Sequence, residues 1–389
     1  MVDQAVVYGP CLVRDFLNSS FILYLTGEDN LFQQAARRLK DLENEKIAVT
    51  APYVVTNDEH RFLASEQLRE SDLDLGATLL ESVGCNTAPA LTLAGLATIK
   101  YGDDPILVVI PADQTISETL EFTRSMHHAI HQAAQGDIVS LGVPAERPET
   151  GYGHIKTNAS TAPTFDVASF VEKPDSATAR RYLEAGGYFW NAGMFVLKAS
   201  LWLETIDSFR PDIAGPTRRA RINRITDAAF IRPDKEEFFK ILSVSRHYAV
   251  MERCPECDFS IKMAPLNVLP KDNHDNAHLG DVLTADSHNT LIHVTSRLVA
   301  LVGVENLVVI ETPDAVLVAD KSGSQDVTHI VNMLKQQQRE ERTLHRKVHR
   351  PWGWYDSVDE GERFKVKRIQ VNPEASLSLQ NTIIAPNTG

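Results

Sequence analysis

Five consecutive apolar residues, Ile106-Leu107-Val108-Val109-Ile110, run without interruption into Pro111-Ala112-Asp113. A strand apolar at every position cannot keep one face in water. It must be covered on both sides, as the central strands of parallel sheets are. Further strands are expected from Ile47 to Val55, ending at Thr56-Asn57, near Thr78 to Leu80, and from Ile138 to Val143. Helical patterns lie between them: one starting near Asp58 with Phe62, Leu63 and Leu68, one from Ala90 to Ile99, and one carrying His127, His128 and His131. Strands alternating with helices predict an α/β fold with a mainly parallel, Rossmann-like sheet. Open sheets of this kind bind ligands beyond the carboxyl ends of their strands, which is where Asp113 falls.

The richest stretch runs from Phe170 to Phe195. Phe170-Val171 reads as the end of a strand, Glu172-Lys173 as a turn, and Pro174 as the stop. A helix follows with Ala177, Ala179, Tyr182 and Leu183 at helical spacing, closed by Gly186-Gly187. A second apolar run, Tyr188 to Phe195, carries Asn191 and Gly193. Glu172 can accept hydrogen bonds from hydroxyls and Lys173 can oppose a phosphate. Asn191 can donate and accept, and Gly193 lets a ligand approach the backbone. That set suits a sugar phosphate. For Glu-Lys-Pro alone a surface ion pair and a turn would suffice; the Trp190-Asn191-Ala192-Gly193 segment nearby shifts the balance.

A net charge of -13 argues against nucleic-acid binding, which needs clustered Lys and Arg. There is no apolar run of membrane-spanning length and no signal-peptide pattern at the start. Four cysteines in 389 residues suit a reducing compartment, so the expected location is cytoplasmic. Cys254-Pro-Glu-Cys257 has half the spacing of a zinc site but no second half, and reads as chance spacing in a loop. His127 and His131 are four apart on a helix without an intervening Glu of the zinc-protease kind, and read as exposed helix residues.

Phe170-Val-Glu-Lys-Pro-Asp and Tyr188-Phe-Trp-Asn-Ala-Gly-Met-Phe-Val-Leu-Lys-Ala-Ser resemble the sugar-phosphate site of mannose-1-phosphate guanylyltransferases. The resemblance is strongest to the bacterial bifunctional type, which ends in a mannose-6-phosphate isomerase domain. It implies a reaction of GTP with α-D-mannose 1-phosphate to give GDP-mannose and diphosphate, for polysaccharide synthesis. It implies Mg²⁺ on Asp113, with Asp113 and Lys173 as the catalytic residues. Glu149, Gly151 and Gly153, in Pro148-Glu-Thr-Gly-Tyr-Gly-His, would meet the sugar together with Glu172, Lys173, Asn191 and Gly193. Asn86-Thr87-Ala88-Pro89 would form the base-recognition turn, and Arg14 would lie beside the triphosphate. The same residues, Asn86 or Thr87 with Pro89, also make a plain capped helix start, and both readings can hold together.

The chain departs from that pattern at several points. The family's glycine-rich loop is represented by Gly9 alone, and Asn18-Ser19-Ser20 stands where a phosphate-binding Lys is expected. Cys85 replaces an Arg, Gln114 a His, and Val244 and His247 an acidic pair. The second metal-binding Asp has no clear counterpart, although Asp272 or Asp275 could substitute. Two rival readings follow: a homologue that binds a sugar nucleotide without turning it over, and a decayed gene product.

The expected division is a nucleotidyltransferase domain over 1–276, a β-helix-like domain and helix over 277–334, a linker over 335–350, and the start of a cupin over 351–389. The β-helix expectation rests on short strands at Thr290–Val294, Arg297–Val302, Leu307–Ile310 and Ala315–Val318. It would serve packing or subunit contact, which leaves a homodimer open. Leu377-Ser378-Leu379-Gln380, which in the bifunctional enzymes precedes a His-rich metal motif, is followed here by Asn-Thr-Ile-Ile. No isomerase activity is expected.

Overall fold

A computed structural model describes residues 5–8, 10–12, 29–58, 60–81, 87–99, 104–112, 114, 116, 118–158, 163–242, 261–265, 274, 276–294, 296–313, 315–337, 347–350, 352–361, 364–373 and 375–376. In chain order the first elements are β1 (Ala5–Tyr8), β2 (Pro10–Leu12), α1 (Leu31–Lys40), β3 (Ile47–Val49), β4 (Tyr53–Asn57), α2 (Arg61–Glu70), β5 (Ala77–Glu81), α3 (Thr87–Thr98), β6 (Ile106–Pro111), α4 (Thr119–Ala134) and β7 (Ile138–Pro144). Then come β8 (His154–Thr157), β9 (Phe165–Val171), α5 (Ser176–Ala185), β10 (Tyr188–Lys198), α6 (Ala199–Phe209), α7 (Pro211–Ile222), β11 (Ile225–Asp227), β12 (Phe230–Arg232), α8 (Lys235–Leu242) and β13 (Ile261–Pro265).

The apolar run is the centre, as expected. Residues 106 to 110 of β6 are each at most 4% exposed. Ile106, Val108 and Ile110 enter one core with Phe32, Phe122 and Met126, while Leu107 and Val109 enter another with Leu93, Trp202 and Ile206. Burial of such side chains stabilises by about 1.5–3 kcal/mol each, so one strand anchors both layers. Parallel neighbours line up beside it. β1 and β2 pair with β6 in one register, Val7 opposite Ile106 and Cys11 opposite Ile110. β2, β4, β5 and β12 continue the parallel set.

The other half of the sheet is mixed. β10 runs antiparallel to β6, β7 and β8. β7 is parallel to β13, and β9 is antiparallel to both β13 and β8. The strand expected over Ile47 to Val55 is two strands, because Ala51-Pro52 interrupts the ladder and Pro52 has no N–H to give it. His131 is exposed as expected, but His127 is half-buried, and its Nε2 lies 3.0 Å from the Leu42 carbonyl, tying α4 to the turn after α1. No helix among the described residues is long and apolar enough to cross a membrane.

Beyond this sheet come β14 (Ala277–Leu279), β15 (Val282–Ala285), β16 (Leu291–Val294), β17 (Val299–Val302), β18 (Leu307–Glu311), β19 (Val316–Asp320) and α9 (Val327–Gln336). Parallel pairs β14–β16–β18 and β15–β17 stack as successive rungs around Ile292, Val294 and Val309. This is the β-helix-like unit, and the antiparallel β19 closes its last rung. His293, 1% exposed on β16, has no hydrogen-bond partner for either ring nitrogen among the described residues. Burial pushes its imidazole down to about 4, so it is neutral. The last sheet is β20 (Lys347–Arg350), β21 (Gly353–Gly361) and β22 (Phe364–Val371). Lys347–Arg350, expected as linker, pairs along β21 instead, with Val348 opposite Tyr355.

Candidate functional site

The site is made where β10 changes partners. Tyr188 to Trp190 pair with Lys156 to His154 on β8. Phe195 to Lys198 pair with Val109 to Ile106 on β6. Between them, on the β7 side, the register slips: Asn191 lies opposite Gly142 and Phe195 opposite Ser140. Four steps of β10 therefore face two steps of β7, and the surplus residues bulge. Gly193, at φ +70°, accommodates the bulge without a Cβ penalty. Its α-carbon faces Pro111, the last residue of β6, whose Cγ would lie 4.0 Å from an added Cβ.

Gly153 ties this bulge to the turn after β9. Its carbonyl accepts from the Asn191 N–H at 2.8 Å, where β8 meets β10. A Cβ added to it would stand 2.8 Å from Glu172 Oε2 and 2.8 Å from Phe170 Cζ. A glycine is required there because a carboxylate and an aromatic ring already fill the space. Glu172, Gly153 and Asn191 thus converge on one patch, although they stand far apart in sequence.

Glu172 has a largely buried side chain, 8% exposed, with Lys173 Nζ 4.0 Å from its Oε1. Lys173 is 57% exposed, and its backbone sits at φ +43°, a left-handed turn forced between β9 and Pro174. Such a turn without glycine carries strain, which the fold tolerates to put carboxylate and ammonium side by side. Behind it α5 begins as expected. Asp175 caps it by accepting from Thr178 N–H at 2.7 Å, and Gly186 and Gly187, both at positive φ, end it.

Asn191 Oδ1 accepts two bonds, from Gly193 N–H at 2.9 Å and from Ser140 Oγ at 3.1 Å. Gln114 reaches the same bulge, its Nε2 donating to the Ala192 carbonyl at 2.7 Å. The Gln114 carbonyl in turn accepts from the buried Arg38 guanidinium at 3.0 Å. The chain just past the tip of β6 is therefore pinned to the bulge through Gln114 and to α1 through Arg38. Asp113, with Asn86 and Arg14, lies outside the described residues.

Glu149 turns on its own loop. Oε1 accepts from Gly151 N–H at 3.0 Å and Oε2 pairs with Arg147 at 3.1 Å. Arg147 lies over the Trp190 ring, 5.2 Å from its centroid, and Tyr152 packs at 5.7 Å on the same ring. Glu149 and Gly151 thereby shape the loop leading into Gly153. His154, 1% exposed, lies below its ordinary pKa because burial disfavours its charged form. Thr87, Ala88 and Pro89 are the opening residues of α3, the next described element after β5. Pro89 is tolerated there because first-turn N–H groups have no helical partner.

Two groups were not legible as site residues: Ser140 and Gln114 in its bridging role. Ser140 had a signal, being the single hydroxyl in the otherwise apolar run Ile138-Val139-Ser140-Leu141. No group of three or more His, Cys, Asp or Glu that could hold a metal is present among the described residues. Asp272, Asp275, Cys254 and Cys257 lie outside them.

Comparison with known proteins adds the following. Residues 22–235 match the nucleotidyl transferase family, 280–334 the mannose-phosphate isomerase/GMP-like β-helix domain, and 337–384 the mannose-6-phosphate isomerase C-terminal family. The xanthan biosynthesis protein XanB of Xanthomonas campestris pv. campestris is 44% identical over 368 residues, covering 92% of this chain and 77% of XanB. Mannose-1-phosphate guanylyltransferase 2 of Escherichia coli O157:H7 is 39% identical over 389 residues, covering 95% of this chain and 80% of the relative. A crystal structure described as mannose-1-phosphate geranyltransferase, from Thermus thermophilus, superposes with a TM-score of 0.63 at 23% identity. That overlap covers 86% of this chain and all of the other, and it supports the fold.

Proposed function

The chain belongs to the nucleotidyl transferase family, in the branch that joins this domain to a β-helix and an isomerase-type C-terminus, and from that membership we propose that it transfers GMP from GTP to α-D-mannose 1-phosphate. The observation that carries the reading is the meeting of two residues at Gly153: the Glu172 carboxylate lies against its α-carbon, and its carbonyl accepts from the main-chain N–H of Asn191, whose side chain ends in an NH2 group free among the described residues. One group accepts and the other donates, which is what neighbouring hydroxyls of a hexose require. Lys173, beside Glu172 and largely exposed, would oppose a phosphate as it arrives.

In the reaction a phosphate oxygen of the sugar attacks the α-phosphorus of GTP. A P–O bond forms there, the bond to the bridging oxygen breaks, and diphosphate leaves with that oxygen. The protein has little covalent work to do; its contribution is to hold the two phosphates in line. Glu172 and Asn191 fix the sugar ring, and the bulge at Gly193 leaves the backbone open at the tip of β6. The Arg38–Gln114–Ala192 chain of hydrogen bonds keeps that tip in register with the sugar subsite.

Magnesium is part of the proposal. It characteristically takes one or two carboxylates and fills its shell with water and substrate phosphates. Asp113, which follows Pro111-Ala112 at the end of β6, is the carboxylate that would hold it. Bound there, the ion would neutralise charge shared by the two phosphate groups. The cytoplasm is the expected compartment.

Purified protein given GTP, mannose 1-phosphate and Mg²⁺ should release diphosphate, and omission of the sugar phosphate should abolish the release. No release, with GDP-mannose still raising the melting temperature, would replace the enzyme by a binding protein. No release and no cooperative melting would leave the decayed gene product.

A further inference from the structure

We propose that Ser140 is a positioning residue that fixes Asn191 as a pure hydrogen-bond donor toward the sugar. The inference rests on the reading of this site as a hexose-phosphate site. The argument starts from what each atom can do. An amide oxygen accepts and an amide nitrogen donates. The atom of Asn191 that meets the Gly193 N–H at 2.9 Å must be the oxygen, since a backbone N–H can only donate. The orientation of this amide is therefore set by chemistry rather than by assignment. The same oxygen takes the Ser140 hydroxyl at 3.1 Å, so both of its lone pairs are used.

What remains is the NH2 group, which has no partner among the described residues. Asn191 is only partly buried, and its main-chain N–H is already given to Gly153. The side chain consequently offers a ligand two donors and no acceptor. Glu172, when ionised, offers acceptors only. A ligand that satisfies both must donate to one and accept from the other at neighbouring positions. Hydroxyls do both, whereas a carbonyl or carboxylate cannot serve Glu172. The pair therefore selects a polyol face.

Ser140 is what locks the pair. It is 1% exposed in the middle of β7, with Val139 and Leu141 fully buried on either side. A hydroxyl there is costly unless bonded, and its proton goes to Asn191. Without it the Gly193 N–H alone would hold the amide, and the side chain would gain freedom to rock out of line.

The test is calorimetric titration of the full chain with mannose 1-phosphate, and separately with GTP. Ser140→Ala should weaken mannose 1-phosphate about 5- to 20-fold, the weight of one buried hydrogen bond, and leave GTP affinity unchanged. Ser140→Thr, which restores the hydroxyl, should recover most of the loss. A merely structural role would lower both affinities together, or move only the melting temperature. Equal mannose 1-phosphate affinity in wild type and Ser140→Ala overturns this inference and leaves the function standing. A wild type that takes up GTP but no mannose 1-phosphate overturns the function, and the inference with it.

Discussion

Replacing Asn191 by Asp should abolish sugar-phosphate binding while leaving the fold intact. The two side chains have the same shape. One carboxylate oxygen would still accept from Gly193 N–H and Ser140 Oγ, the bonds that close the bulge. The other oxygen would replace the NH2 group and present an acceptor where a donor stood. It would also add a negative charge to a site that has to receive an anionic sugar phosphate. The loss of a donor facing a desolvated hydroxyl costs roughly 1–3 kcal/mol, and the added charge raises it further. The expected outcome is at least a hundredfold weaker titration of mannose 1-phosphate, about 3 kcal/mol, with a melting temperature close to that of wild type. If binding falls by threefold or less, Asn191 does not face the sugar.

Gly153→Ala should damage stability and binding together, by a different route. The new methyl would stand 2.8 Å from the Phe170 ring and 2.8 Å from Glu172 Oε2, both far inside contact distance. Phe170 is 6% exposed in the core beneath and has nowhere to withdraw. Glu172 can swing away, but only by taking its carboxylate out of the pocket. Overpacking of this kind costs about 1–3 kcal/mol, which a denaturation curve would register. Sugar-phosphate affinity should fall more than tenfold on top of it, and GTP affinity much less. A variant that melts and binds as wild type would show that the turn after β9 is looser than the structure has it.

These two residues also mark what sequence could and could not tell. Asn191 and Glu172 stood out because a carboxylate and an amide interrupt apolar strands beside Pro174 and Gly193. The central strand was plain from its unbroken apolar run, and α5 from its cap and its closing glycines. The partner change of β10 was not readable. An antiparallel strand that leaves β8 for β6 within a few residues has the same apolar pattern as one that does not. Pairing is decided by tertiary contacts, not by local preference. Gly151 and Gly153 were both expected to meet the sugar, and the closeness of Gly153 to Phe170 and Glu172 was not readable from the turn. Ser140 was passed over as part of a strand, because a single hydroxyl in an apolar run declares no partner.

The other departures have equally local causes. Pro52 cut one expected strand into β3 and β4 by removing a ladder donor. Lys347 to Arg350 looked like a charged linker, yet alternating charged and apolar residues also suit an edge strand, and β21 supplied the neighbour. Gln114 stands where the resemblance expects His. Its amide spans from the tip of β6 to the Ala192 carbonyl, a bond that a neutral imidazole donor could also make.

A crystal structure of this chain with mannose 1-phosphate tests the central claim most directly. The account places the hexose in the gap between β8 and β6, with one hydroxyl on the Glu172 carboxylate, one on the Asn191 NH2 group, and the phosphate on the Lys173 side. A sugar phosphate bound elsewhere on the chain, or held in the gap without touching Glu172 and Asn191, would contradict it.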